Sequence, residues 1–152
     1  MSEQTGSPRL WRHLPDCFGC GNENDAALGI SFEQQNGSVH ATVVFDDRHV
    51  GGPGMAHGGA IMTLLDEVMG SVAGTGERRR VTASMQVEFR KPIALGRKLM
   101  AVGRITERLD RGYLVYGMVT YAEEPDVVRA EATARFVPLP EPTDGSAKPT
   151  QL

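Results

Sequence analysis

HGGAIMTLLDEVMGSVAG, residues 57–74, is the one long stretch of the chain with helical periodicity. At about 100° per residue, Ile61, Leu64, Leu65, Val68 and Val72 fall within roughly 100° of one another and form a face for a sheet. The next regular stretch, VTASMQVEF at 81–89, changes period. Val81, Ala83, Met85, Val87 and Phe89 alternate strictly with Thr82, Ser84, Gln86 and Glu88, as a half-buried strand requires. Together the two patterns predict a single helix laid against strands.

Reading outward, Leu28, Ile30 and Phe32 alternate, Asn36-Gly37 marks a two-residue hairpin, and Val39, Ala41, Val43 and Phe45 alternate again. A Gly/Pro-rich loop, His49 to Ala56, leads into the helix. Beyond residue 89, Pro92 to Gly96 turns the chain, and strands are expected over Leu99–Leu109, Tyr113–Tyr121 and Val127–Val137, with turns at Asp110–Gly112 and Glu124–Asp126. Hairpin connections imply antiparallel pairing. The prediction is an α+β domain with one central helix and a sheet of about six strands. Residues 1–12 read as a flexible start, 13–138 as the folded domain and 139–152, rich in proline, as a disordered tail. A small sheet has exposed edges that are usually paired or covered, so a dimer is expected.

Two features of the helix point to chemistry. Asp66 lies roughly 150° from the centre of the sheet-facing stripe, flanked by Met62, Thr63, Met69 and Ala73 rather than by other charges. The helix is thus apolar almost all round, which predicts a second cover, such as another subunit, with Asp66 in a largely apolar interface. A carboxylate there is costly unless paired, and such groups are candidate acids or bases; an Asp held by backbone amides or by a partner Arg is the bland alternative. Glu67, about 100° further round, reads as a rim residue and an alternative acid/base. The second feature is the helix start, His57-Gly58-Gly59, with no Ser, Thr, Asp or Asn cap. Free N–H groups there bind anions, including a developing oxyanion. Alternatively, His57 caps the helix and the glycines relieve crowding.

The remaining composition is restrictive. The 152 residues carry 16 basic and 19 acidic side chains, a net charge of −3, which argues against a nucleic-acid binder. No apolar run approaches the roughly 20 residues of a membrane span, and the start, MSEQTGSPRLW, has no secretory pattern. A cytoplasmic protein is expected. The two cysteines are Cys17 and Cys20, spaced C-x-x-C in a Gly/Asn-rich loop. Two thiols cannot fill a tetrahedral zinc site. His13 and His40 are the nearest histidines, so structural, redox and Cys₂His₂ metal readings all stay open.

GGPGMAHGGAIMTLLDE at 51–67, followed by VTASMQVEFRKPI at 81–93, resembles the hotdog-fold acyl-CoA thioesterases of the PaaI-like group. The GGPG-x-x-HGG start is most similar to the subgroup that includes animal mitochondrial fatty acyl-CoA thioesterases. The resemblance covers roughly Cys17 to Val137. It implies a long helix wrapped by a curved antiparallel sheet, dimers that often form tetramers, active sites at the dimer interface, and no metal, cofactor or prosthetic group. It also implies acyl-CoA as substrate, with Asp66 as general base or nucleophile. Gly58, with Gly59 beside it, matches the backbone oxyanion-hole position. His57 matches the histidine that orients the carbonyl or the loop, and Thr82 a Ser/Thr that helps position water or the carboxylate. Many members carry an Asn where this chain has Gly51. Met55, Met62, Met69 and Val50 are expected to line an acyl slot, although each suits core filling too. Arg78, Arg79, Arg80, Arg90 and Lys91 are available for the CoA phosphates. A hydratase or dehydratase of the same fold, and a non-catalytic acyl-CoA-binding protein, are the alternatives to a hydrolase.

Overall fold

Asn36 and Gly37 both adopt left-handed backbone, with φ of 45° and 81°. This is the geometry of a type I′ hairpin, whose twist matches that of the strands it joins. In the computed structural model, which describes residues 13–74 and 80–139, that turn connects β1 (Ser31–Gln35) to β2 (Ser38–Val44). A short hairpin of β3 (Val50–Gly52) and β4 (Met55–Ala56) precedes α1 (Gly58–Ala73). Then come β5 (Arg80–Phe89), β6 (Lys98–Leu109), β7 (Gly112–Tyr121) and β8 (Ala130–Pro138). Six strands form one sheet in the order β1-β2-β6-β7-β8-β5, with every neighbouring pair antiparallel.

The predicted elements are present, with shifted ends. Leu28 and Ile30 precede β1 rather than opening it, because Gly29 turns the chain at φ 73°. Val127 lies in a turn closed by its own N–H to the Glu124 carbonyl (3.1 Å), so β8 starts three residues later. The loop before the helix is more ordered than its composition suggests. Asp46 caps a single 3-10 turn, Asp47–His49, and the His49 ring accepts from the Asp46 N–H in return. The expected flexible start lies outside the described residues, as does the tail beyond Leu139. Among the described residues no helix is long and apolar enough to cross a membrane.

The helix is sunk into the sheet. Gly103 of β6 and Gly117 of β7 sit directly opposite one another. A Cβ at Gly103 would stand 2.6 Å from the Val68 carbonyl oxygen, and one at Gly117 would stand 2.8 Å from Met69 Cγ. The glycine pair is therefore a trough that lets α1 approach within backbone contact of the strands. This widens the buried stripe. Ile61, Leu64, Leu65, Val68 and Val72 are buried as predicted, but so are Met69 and Ala73, both fully enclosed. The helical wheel puts those two beside Asp66 on the far face, and the trough draws them inside.

β5 departs most from expectation. It is an edge strand, and most of its residues are exposed, with only Arg80, Met85 and Val87 partly covered. Val81 and Phe89, predicted to be inside, keep 40% and 52% of their surface. The strict alternation is also broken by a bulge. Thr82 pairs with Phe136 and Ser84 with Arg135, leaving Ala83 unpaired. Thr82 therefore faces the same side as buried Phe136, the side of the helix, as Met85 does opposite buried Ala134.

Candidate active site

The helix start is built around His57. Its backbone N–H donates to the His49 carbonyl (2.7 Å), while Ala60 and Ile61 N–H return to the His57 carbonyl. Its imidazole Nδ1 accepts from the Gly59 N–H at 2.8 Å, making His57 the N-cap. Gly59 makes room for this ring, since a Cβ there would lie 3.0 Å from Nδ1. The cap fixes the ring as the Nε2–H tautomer on an exposed residue. Of the two expected oxyanion donors, the Gly59 N–H is engaged by the His57 ring, while the Gly58 N–H has no partner among the described residues. Gly51 belongs to the same arrangement, because a Cβ there would stand 2.6 Å from His57 Cα. At that approach no asparagine fits without moving the backbone.

Asp66 is half-buried and receives the Thr82 hydroxyl at 2.5 Å from Oγ1 to Oδ1. The bulge at Ala83 produces this contact by turning Thr82 toward α1. The two line a cavity of about 250 Å³ with Glu67, Gly70, Ser71, Arg80, Val81 and Phe136. The surroundings of Asp66 within one chain are thus more polar than its position on the wheel predicts. Asp66 lies eight residues from Gly58, about 12 Å along the helix axis at ~1.5 Å per residue. In one chain the carboxylate and the open amide cannot reach the same carbonyl group.

A larger cavity, about 640 Å³, opens at the helix start. Phe18, Ala26 and Leu28 from the N-terminal loop wall it opposite Val50, His57 and Ala60, with Arg48, His49, Gly59 and Thr63 completing the lining. Of the four expected slot residues only Val50 is among them. Met55 and Met62 are exposed at the surface, with 41% and 39% of their area free. Met69 is a core side chain over Gly117, so within this chain it walls no open slot. Sequence reasoning does not find Phe18, Ala26 and Leu28 as cavity walls. Their only signal is that of isolated apolar residues in a Gly/Asn-rich loop, which carry no periodicity.

The family model described as "Thioesterase superfamily" matches residues 53–128, half of the chain. The chain belongs to this superfamily. It is 30% identical over 89 residues to the acyl-coenzyme A thioesterase THEM4 of Mus musculus, an alignment covering 59% of this chain and 38% of that protein. It therefore spans about two fifths of the length of the curated relatives it matches. Among solved structures, it is similar to the thioesterase superfamily protein RHA08564, with a TM-score of 0.74, 27% identity, and coverage of 81% of this chain and 60% of that one. It is also similar to a Streptococcus mutans protein solved bound to acetyl CoA, with a TM-score of 0.67, 25% identity, and coverage of 74% and 90%. The helix and six-stranded antiparallel sheet are the hotdog fold of these thioesterase relatives.

Within this superfamily member two of the three predicted phosphate-binding cations among the described residues have other work. Arg90 pairs with Glu88 at 2.8 Å and with Glu131. Arg80 donates to the Ala73 carbonyl at the helix end (2.7 Å) and lies over the Tyr113 ring. Lys91 is exposed and has no side-chain partner among the described residues. Arg78 and Arg79 lie outside the described residues.

Glu67 lines the Asp66 cavity and also reaches under the N-terminal loop. Its Oε1 accepts from the Cys17 thiol at 3.5 Å. His13 Nδ1 stands 3.0 Å from Cys20 Sγ, and the ligating atoms of His13, Cys20 and Glu67 all lie within 4.8 Å of one another. Burial and the adjacent Glu67 carboxylate push the Cys20 thiol up, away from ionisation. Burial draws His13 below its usual value, opposed by Glu67. His40, the other histidine considered for this motif, instead meets the Ser38 hydroxyl on β2 (3.1 Å).

Proposed function

We propose that this chain hydrolyses acyl-CoA thioesters to the free acid and CoA, as a PaaI-like member of the GGPG-x-x-HGG subgroup working in the cytoplasm. The observation that carries the reading is the Thr82–Asp66 hydrogen bond of 2.5 Å, made to the same helix whose first N–H, at Gly58, has no partner among the described residues. A thioester carbonyl needs a positioned base, an oxyanion donor and an apolar slot, and the residues supply all three. Asp66, oriented by Thr82, removes a proton from water as its oxygen bonds to the carbonyl carbon. The carbonyl oxygen gains the charge and is met by Gly58 N–H, with the Nε2–H of His57 beside it. The tetrahedral intermediate collapses, the carbon–sulfur bond breaks, and the CoA sulfur leaves with the proton held by Asp66. In the nucleophilic variant, the Asp66 carboxylate attacks first, the carbon–sulfur bond breaks and CoA leaves as a thiolate that is protonated by solvent, and water then hydrolyses the mixed anhydride to the free acid and the restored Asp66 carboxylate. General-base help contributes about 10²–10⁴-fold, and one oxyanion donor about 3–4 kcal/mol. The cavity behind His57 suits the acyl chain, and of the expected cations among the described residues Lys91 is the one left for a CoA phosphate.

The spacing of about 12 Å along α1 supports a site shared by two copies, Asp66 from one and the helix start from the other. The uncovered β5 edge, with Val81 and Phe89 exposed, supports the same assembly. The test is thiol release from a panel of acyl-CoAs, run alongside sedimentation. Turnover is expected from a dimer or larger species at micromolar concentration. A monomer with full turnover overturns the shared site. Acyl-CoA binding without thiol release, or a new double bond in the product, overturns the hydrolase.

A further inference from the structure

We propose that His13, Cys17, Cys20 and Glu67 form a structural zinc(II) site that pins the N-terminal loop to the central helix. The chain brings these residues together from two distant places: three sit within eight positions of one another, and the fourth is on α1. The donor set is one imidazole, two thiols and one carboxylate, which suits a borderline-soft, tetrahedral ion. With Zn–S near 2.3 Å and Zn–N near 2.0–2.1 Å, the edges of such a tetrahedron are about 3.5 Å. The two measured edges, 3.0 Å from His13 Nδ1 to Cys20 Sγ and 3.5 Å from Cys17 Sγ to Glu67 Oε1, lie close to that value. His13, Cys20 and Glu67 already converge within 4.8 Å. The fourth corner closes when Cys17, already touching Glu67, turns its thiol inward.

The surroundings hold the donors in place. The His13 ring stacks on Phe32 at 4.2 Å between centroids and 16° between planes, which aims Nδ1 at the thiols. His13 Nε2 is buried and has no hydrogen-bond partner among the described residues, so the polar contact the ring makes is the one from Nδ1 to Cys20. The loop between the cysteines is tight: Gly21 N–H donates to the Cys17 carbonyl at 2.9 Å, and Leu28 N–H to the Gly19 carbonyl at 3.1 Å. A Cβ at Gly19 would strike the Glu67 carboxylate. Binding releases two thiol protons and leaves the ion with two thiolates, one carboxylate and one neutral imidazole.

The position gives the ion a use separate from the reaction. Phe18, between the two cysteines, and Leu28, bonded to Gly19, are walls of the 640 Å³ cavity at the helix start. Zinc at this corner fixes that wall without touching Asp66. Uptake does not depend on the hydrolase reading, since it is measured without substrate.

The test uses the full chain, reduced and stripped of metal, titrated with Zn²⁺ and separately with Co²⁺. One equivalent of each ion is expected, with a thiolate-to-cobalt charge-transfer band and tetrahedral d–d bands for Co²⁺. Cys17→Ser/Cys20→Ser should abolish the charge-transfer band, and Glu67→Gln should weaken uptake about tenfold or more. In the unmodified chain, zinc should also slow alkylation of both cysteines, a measurement that requires no variant to fold. Equal alkylation rates with and without zinc, a cobalt spectrum lacking thiolate bands, or a Cys17–Cys20 disulfide that forms despite excess zinc each overturn the site.

Discussion

Asp66 and Glu67 are adjacent on one helix, equally charged and both half-buried, yet the regions they serve are built differently. The Asp66 region is open: its hydroxyl partner comes from an uncovered edge strand, and the helix start it would work with is about 12 Å away along the axis. The Glu67 region is closed: its thiol and imidazole neighbours belong to the same chain and lie within a few ångströms. One residue of rotation on a helix, about 100°, separates a carboxylate bonded to a hydroxyl of the edge strand from one folded under a loop. Local environment, not residue type, distinguishes the two acids.

Removing one group from each region tests this division most sharply. Asp66→Asn should lower turnover of acyl-CoA by about 10²–10⁴-fold while leaving zinc uptake unchanged. Cys20→Ser should do the reverse, with uptake down about tenfold or more and turnover within a few-fold of the unmodified chain. If the two variants lose the same property, the division fails. Thiol-release kinetics and cobalt titration read the two arms separately.

Thr82→Val removes the hydroxyl from Asp66 and keeps the shape of the side chain. A hydrogen bond to a charged group contributes about 1.5–3 kcal/mol when well shielded, and Thr82 is exposed in the single chain. A fall of about tenfold in kcat with little change in KM is expected. A larger effect on KM than on kcat would mean that Thr82 contacts substrate rather than Asp66.

The smallest effect concerns the other anchor of the N-terminal loop. Arg48 donates to the Asp25 carbonyl at 2.8 Å and is held by Asp46. Arg48 draws the Asp46 carboxyl down from 3.8 to about 2, chiefly through the side-chain hydrogen bond. The folded state therefore binds fewer protons than the unfolded one between those values. The contribution is fully present above pH 3.8 and is lost as pH falls toward 2. Asp46→Asn should flatten the dependence of Tm on pH across that window only. An unchanged slope would show that the Arg48 anchor contributes nothing.

Much of this is readable in residue order. The helix follows from the spacing of Ile61, Leu64, Leu65, Val68 and Val72, and the first hairpin from Asn36-Gly37, because both patterns act over a few residues. Asp66 stands out as a charge among methionines. What residue order does not carry is longer in range. A wheel puts Met69 on the far face because it does not reveal a trough, and the trough depends on Gly103 and Gly117 meeting across two strands. Alternation puts Val81 inside because it assumes an unbroken register. Glu67 joins no cluster on paper, since its neighbours His13 and Cys20 are 54 and 47 positions away in the chain. The engagement of Gly59 N–H by His57 is likewise a matter of ring geometry, which spacing does not encode.

The unpaired Ala83 has a consequence for comparing this chain with its relatives. Because one extra residue sits in β5, counting from the helix and counting by facing give different answers for which side chain meets the carboxylate. A relative lacking that residue, aligned position by position, would present its hydroxyl one place away from where the alignment puts it. Counterparts of Thr82 are therefore to be found by asking which side chain stands across from the Phe136 position, not by matching columns.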